Sequence, residues 1–231
     1  MIDTIIINVP RSKARMLSGE RWDLIAKQSF YSKFARNPTK AQKESGKYYP
    51  RLTGIQRARS ESIVKIEFSI PKLLYLNNLD ELEEKDFKEV IKTLHERLKD
   101  MNLLIFEKDL INADVSAVHY SKNIVLTSGY TAKHIISELQ KINLNKLNDL
   151  TKTKFMNSGE SLQGYSISNS FVFYDKISDL QKDEKRAIDR EQNPYQRSLF
   201  SSLKDEEILR FEVRLSQKRK LNTLFKQYGF K

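Results

Sequence analysis

The chain has 231 residues, of which 39% are hydrophobic and 10% aromatic, enough for one substantial core or two small ones and too much for a chain disordered throughout. Its formal charge of +11 favours a polyanionic partner, with nucleic acid ahead of an acidic membrane surface. Zero cysteines exclude disulfides and thiolate metal sites, and three scattered histidines argue against a His-rich zinc site, so a bound metal would rest largely on carboxylates, which favours Mg or Mn.

Ile5, Ile7 and Val9 alternate with Ile6 and Asn8, which predicts a buried strand ending at Pro10. Nine Lys or Arg residues and one acid, Glu44, then occupy 24–60, interleaved with Phe30, Tyr31, Tyr48 and Tyr49. This tract reads as a basic insertion with stacking surfaces: Lys47, Arg51, Arg57 and Arg59 could follow a phosphate backbone, and Tyr48 and Tyr49 could hold unpaired bases. A solvated charged loop is the alternative. The segment from Ile63 to Ile70, IVKIEFSI, alternates as a strand, with Lys65, Glu67 and Ser69 on its polar side. Phe87, Val90, Ile91, Leu94, Leu98 and Met101 recur at helical steps after the acidic DELEEKD run.

Leu103 to Glu107 and Val115 to Lys122 are predicted as the next strands, paired as a hairpin around Asn112. Thr131 is expected to cap a helix whose inner stripe is Ile135, Ile136, Leu139 and Ile142, and Ser166 to Asp175 to supply a further strand. The polar stretch 182–196 reads as a solvated helix or loop with a break at Asn193-Pro194. Ile208 to Leu215, ILRFEVRL, is another two-faced strand, and Leu221, Leu224, Phe225 and Tyr228 give a basic C-terminal helix over 217–231, capped by Gly229. The expected fold is α+β: a single domain over 1–231 whose antiparallel sheet carries helices on one face in the split βαβ manner. No stretch of about 18 apolar residues is present, and the opening MIDTIIINVPRSK lacks the order of a signal peptide. A soluble, cytoplasmic protein without a membrane partner is therefore expected.

Within Phe171-Val-Phe-Tyr-Asp-Lys176, a period of two puts Tyr174 and Lys176 on one strand face. A phenol can attack a phosphodiester and hold the broken strand covalently, and a lysine beside it can lower the phenol pKa or neutralise the pentavalent phosphate. The competing reading is a tyrosine that covers a half-exposed sheet face. Glu67 and Glu212 occupy equivalent mid-strand polar positions suited to a divalent cation, with His119 of SAVHYSK as a third ligand. The competing reading pairs Glu212 with Arg210 and Arg214, or with Lys65, as surface ion pairs. His95 and His134 gain no role, and neither GxxxxGK[ST] nor GxGxxG occurs.

The opening MIDTIIINVP, the strand KIEFSIPKLLYLNN, then SAVHYSKNI, FVFYDK and ILRFEVRL stand in the order found in phage and plasmid replication proteins of the filamentous-phage gene II type. The chain resembles that family over nearly its whole length. The resemblance implies a rolling-circle initiator of the broad HUH class, which nicks one DNA strand at an origin, keeps the 5′ phosphate on a tyrosine and leaves a 3′ hydroxyl. Position by position, Tyr174 and Lys176 match the nicking tyrosine and the lysine that follows it. Glu67, Lys72 and Asn78 fall on the early acid, lysine and asparagine, and Glu212 on the acid of RFEVRL; Lys72 and Asn78, with Arg210 and Arg214 of that last strand, are expected to contact the DNA. His119 falls where the filamentous phage protein carries an aspartate. Longer members continue past this last strand, so the resemblance implies nicking more directly than origin recognition, dimerisation or full replication. The implied partners are origin DNA, single-stranded or supercoiled, then a host helicase or polymerase and a second copy of the chain. A non-catalytic single-strand binding or regulatory protein is the alternative, and a purely structural module explains the charge least well.

Overall fold

A computed structural model of the chain describes residues 1–17, 22–142, 152–156, 160–165, 169–185, 203 and 205–229. They divide into two compact units, one of Asp3–Ser116 and one of Met1–Ile2 with Ala117–Lys231.

The first unit contains β1 (Ile2–Pro10, from Asp3 on), β2 (Arg15–Met16), β3 (Asp23–Gln28), β4 (Tyr31–Arg36), α1 (Lys40–Glu44), β5 (Arg51–Arg57) and β6 (Ile63–Ser69). It continues through α2 (Ile70–Tyr75), α3 (Phe87–Asp100), β7 (Leu103–Leu104) and α4 (Glu107–Ile111). Its main strands lie in the order β3-β4-β5-β6-β1, each pair antiparallel. Ile66 stands opposite both Ile7 and Leu52, and Val64 opposite Val9 and Gly54. One face is therefore continuously apolar, and it joins Val90, Ile91, Leu94 and Leu98 of α3 and Leu73 of α2 in one core. The opposite face carries Asn8, Lys33, Arg51, Thr53, Lys65 and Glu67, by the same alternation.

Residues 24–60 are not a solvated charged loop. They form β3, β4, α1 and β5, because Tyr31, Lys33 and Ala35 alternate with Ser32, Phe34 and Arg36 as strands require. Leu103 to Glu107 also departs from expectation. Only Leu103–Leu104 is extended, and it pairs with β2, so the hairpin around Asn112 does not form. Acids at Glu107 and Asp109 start α4 instead, turning Leu110 into the core and leaving Phe106 and Ile111 exposed.

The second unit holds most of β8 (Asp114–Leu126), then α5 (Ala132–Gln140), β9 (Lys152–Met156), β10 (Ser161–Tyr165), β11 (Asn169–Asp175), α6 (Lys176–Lys185), β12 (Glu207–Leu215) and α7 (Lys218–Gln227). Its strands run β8-β12-β11-β10-β9, again antiparallel. Leu162 and Leu209 pack with Phe173 against Ile136, Ile135 and Leu139 of α5, and the Phe173 ring stacks on Phe211 with centroids 4.5 Å apart. The Thr131 hydroxyl accepts the His134 N–H at 3.1 Å, as a capping threonine should. Ile142 lies beyond the end of α5 and is exposed, so the inner stripe stops at Leu139. Most of the polar stretch 182–196, with Tyr195, lies outside the described residues. No helix among the described residues is long and apolar enough to cross a membrane.

Two contacts in these units are testable. Tyr75 donates to Asp86 at 2.7 Å, and the Glu83 N–H donates to the same carboxylate oxygen at 2.8 Å, tying the end of α2 to the start of α3. The bond to Asp86 pushes the Tyr75 hydroxyl from 10.0 up to about 12, and the Glu83 N–H and then Tyr75 hold Asp86 below its ordinary value. The Tyr75 contribution to stability is therefore complete below pH 10 and lost as pH rises through about 12. The Asp86 contribution is present above the ordinary carboxylate value and lost as pH falls through the lowered one. Thermal melts across pH should show both dependences shrink in Tyr75→Phe. In the second unit Gly164 stands opposite Phe171, and a methyl group there would collide with the Phe171 ring. Gly164→Ala should lower stability by about 1–3 kcal/mol in urea unfolding, as overpacking does.

Candidate functional site

The polar face of the second unit is assembled by β12, a strand paired on both sides. Arg210 stands opposite Asn123 and Tyr174, Glu212 opposite Ser121 and Val172, and Arg214 opposite His119 and Ser170. Residues directly opposite in an antiparallel pair share a face. Tyr174, Arg210, Glu212, Arg214, His119, Ser121 and Asn123 therefore project to one side, and the stacked phenylalanines to the other. Tyr174 is a diagonal neighbour of Glu212, a spacing of roughly 7–8 Å. Tyr165 lies on the same face at the far end of the β10–β11 pairing, opposite Ser170.

Burial decides what these groups can do. Glu212 is buried, and Arg214 grips both its oxygens, Nε at 3.1 Å and Nη2 at 3.3 Å. His119 Nδ1 lies 3.6 Å from Oε1 of the same carboxylate. The Arg210 guanidinium is 0% exposed and donates to Asn123 Oδ1 at 3.0 Å. It is an interior cation directly across from Tyr174 and not the surface phosphate contact that its strand position suggests. Arg214 keeps a side-chain exposure of 37%.

Lys176 departs from the expected strand position. β11 ends at Asp175, whose carboxylate accepts the N–H groups of Ile177 and Ser178 at 2.9 and 3.0 Å and the Ser178 hydroxyl at 2.6 Å. That capping converts the chain to helix at once, so Lys176 opens α6. Its ammonium nevertheless reaches Tyr174, 5.9 Å from the ring centroid, within cation–π range, and sits 3.5 Å from Asp179 Oδ2. The side chain is nearly fully buried, so its charge acts on the tyrosine with little solvent screening.

Two of the three expected metal ligands thus meet, His119 with Glu212. Glu67 belongs to the first unit, half-buried on β6 opposite Arg51 and Ile6. Within either unit, no three His, Cys, Asp or Glu side chains among the described residues gather around one point. The donor chemistry beside Glu212 still suits a hard cation in part. Ser121 Oγ, directly across from Glu212, is buried without a hydrogen-bond partner, so an imidazole nitrogen, a carboxylate and a free hydroxyl oxygen line one spot. Arg214 holds the carboxylate oxygens that such an ion would need.

The remaining candidates lie in the first unit. Arg51 and Arg57 are exposed on β5, and Arg59 lies over the exposed Phe30 ring at 4.9 Å. Lys47 is exposed and pairs with Asp100 at 3.8 Å, while Lys72 on α2 and Asn78 just after it are half-buried. Tyr49 cannot be a stacking platform: it is 4% exposed within the core, and its hydroxyl donates to Asp100 at 3.4 Å. The half-buried Tyr48 packs on that core, and its hydroxyl accepts the Ser69 N–H at 2.8 Å. Arg36, counted in the basic tract, is buried as well, and burial pushes its pKa down. Asn123 and Ser121 were missed by sequence reasoning, since only the β8–β12 register aligns them with Arg210 and Glu212.

No family model, no curated protein and no solved structure matches this chain.

Asp175→Ala should remove the α6 cap at a cost of about 1 kcal/mol, seen as a lowered Tm. Because that cap sets the start of the helix, the variant should also loosen the Lys176 approach to the Tyr174 ring, visible as a shift of the Tyr174 ring resonances.

Proposed function

We propose that this chain is a DNA-nicking and joining protein of the rolling-circle initiator type, with the split βαβ arrangement of the HUH class, acting on origin DNA in the cytoplasm. The observation that carries the reading is the setting of Tyr174. Its phenol shares a sheet face with His119 and Glu212, lies opposite Arg210, and has the Lys176 ammonium 5.9 Å from its ring. In this reading the Tyr174 phenol gives up its proton to solvent, its oxygen attacks the phosphorus and an O–P bond to the 5′ phosphate forms. The P–O3′ bond breaks, and the 3′ oxygen leaves and takes up a proton. Rejoining is the reverse step, in which a 3′ hydroxyl displaces the tyrosine. Arg210 and Lys176, both buried, act on the charge gathering at the phosphoryl oxygens through their field and not by contact, and Arg214, partly exposed, holds the flanking phosphate. A magnesium or manganese ion, held by His119 and Glu212 with Ser121 beside them, would polarise the scissile phosphate.

A second reading, a single-strand binding or regulatory protein without catalysis, draws support from two observations. Lys33, Arg51 and Lys65 already form a cationic sheet face in the first unit, and Glu212 is already satisfied by Arg214. Neither needs a chemical step.

Incubation with supercoiled replicon DNA and Mn separates the readings. The nicking reading expects relaxed circles with a covalent protein adduct, lost in Tyr174→Phe while DNA binding is retained, and a fall of roughly 100-fold in nicking for Glu212→Gln. If Tyr174→Phe cuts as well as the parent, the tyrosine assignment is wrong. If neither protein cuts with any divalent metal, and affinity falls steeply with salt, the binding reading stands alone.

A further inference from the structure

The first unit holds a cavity of about 250 Å³ that the site above does not use, between Trp22, Phe34 and Gly54, with Val64 in its floor and Arg11 and Gln56 among its lining residues. Phe34, Gly54 and Val64 are in register across β4, β5 and β6, on the face that packs the core, and Gln56 projects from the same face two residues on. Among the described residues the core takes no buried member from β3 or β4, so at this end the apolar sheet face lacks the cover that α3 gives elsewhere. Gly54 shapes the space. A methyl group there would already touch the Trp22 ring at 3.5 Å, so the missing side chain lets the indole lie close over the strand.

We propose that this cavity takes one base of single-stranded DNA. The inference rests on the nucleic-acid reading above but not on nicking. Trp22 and Phe34 offer π faces, which stack any base. The Gln56 carboxamide is exposed and carries both donor and acceptor, the combination that reads the edge of an unpaired base. Arg11 supplies a cation for the adjoining phosphate. The volume is below the roughly 300–1,000 Å³ of sites for drug-sized ligands and suits a single ring system. A polyanion is favoured over a free aromatic molecule because Arg11 lines the cavity and exposed Arg59 follows the end of β5, in a chain of net charge +11.

Trp22 is the only tryptophan in the chain, so its fluorescence reports occupancy directly. A short oligodeoxyadenylate should quench the emission saturably, and an abasic strand of equal length should bind through its phosphates without quenching. Phe34→Leu should weaken binding of the base-bearing strand roughly tenfold and leave the abasic strand unchanged. Gln56→Ala, at an exposed position that folding does not depend on, should weaken it roughly fivefold. Equal quenching by the abasic strand, or saturable binding of oligodeoxyadenylate with unchanged emission, overturns the proposal. Absence of any binding overturns it together with the nucleic-acid reading. Intact quenching in a parent protein that never nicks leaves the base site standing while the nicking reading fails.

Discussion

The double pairing of β12 is the constraint on which the candidate site depends. With β8 on one side and β11 on the other, every second residue of Glu207–Leu215 is committed to a face. Leu209, Phe211 and Val213 go to the aromatic side, and Arg210, Glu212 and Arg214 to the other. A slip of one residue would drive two guanidinium groups into the Phe173–Phe211 stack, so the apolar side fixes the register that the charged side uses. Burial then raises the stakes for the charges. Ions withdrawn from water are tolerated only when paired and hydrogen-bonded, and Glu212 is held by Arg214 and Arg210 by Asn123. The same geometry that stabilises these groups holds them still, and preorganised charge is what a phosphoryl-transfer site needs.

The first unit applies the rule to a different end. Its apolar sheet face is spent on a core with α2 and α3, and the other face is left with Lys33, Arg51 and Lys65 against the single acid Glu67 on β4 to β6. Arg51 opposite Glu67 tempers that acid, so the face remains cationic. Core and cationic surface are thus two sides of the same strands, and neither can shift register without damaging the other.

The sequence made the alternating strands legible because their period is strong. IVKIEFSI is a strand as far as Ser69, with Val64, Ile66 and Phe68 on the apolar side and Ile70 opening α2, and ILRFEVRL is a strand throughout. The capped helix after Thr131 was legible for a local reason, a hydroxyl reaching its own helix. What depended on distant partners was not. SLQGY has little alternation, and it becomes β10 only because Gly164 leaves room for Phe171 across the pair. Tyr48 and Tyr49 read as surface residues in a basic tract, yet the core of α3 draws them in. Lys176 was misplaced on a strand although Asp175 and Ser178 already carried a capping signal, since the period of two was read one residue too far. At the candidate site, the common face of Tyr174 and Glu212 follows from strand registers that no single segment encodes. The pairing of His119 with Glu212 needs β8 beside β12 as well.

The charge of β12 itself bears on what this face is built to hold. Its polar side has two guanidinium groups and one carboxylate, and the Lys176 ammonium beside Tyr174 lies 3.5 Å from Asp179 Oδ2. Under the nicking proposal, a phosphodiester would bring one negative charge per phosphate to these fixed cations. A divalent cation pulls in the opposite sense: it must draw Glu212 from Arg214, and it adds charge to a region already cationic. Metal and phosphate would therefore be expected to bind this face together, each lowering the electrostatic cost of the other, with Arg214 passing from the carboxylate to the incoming phosphate.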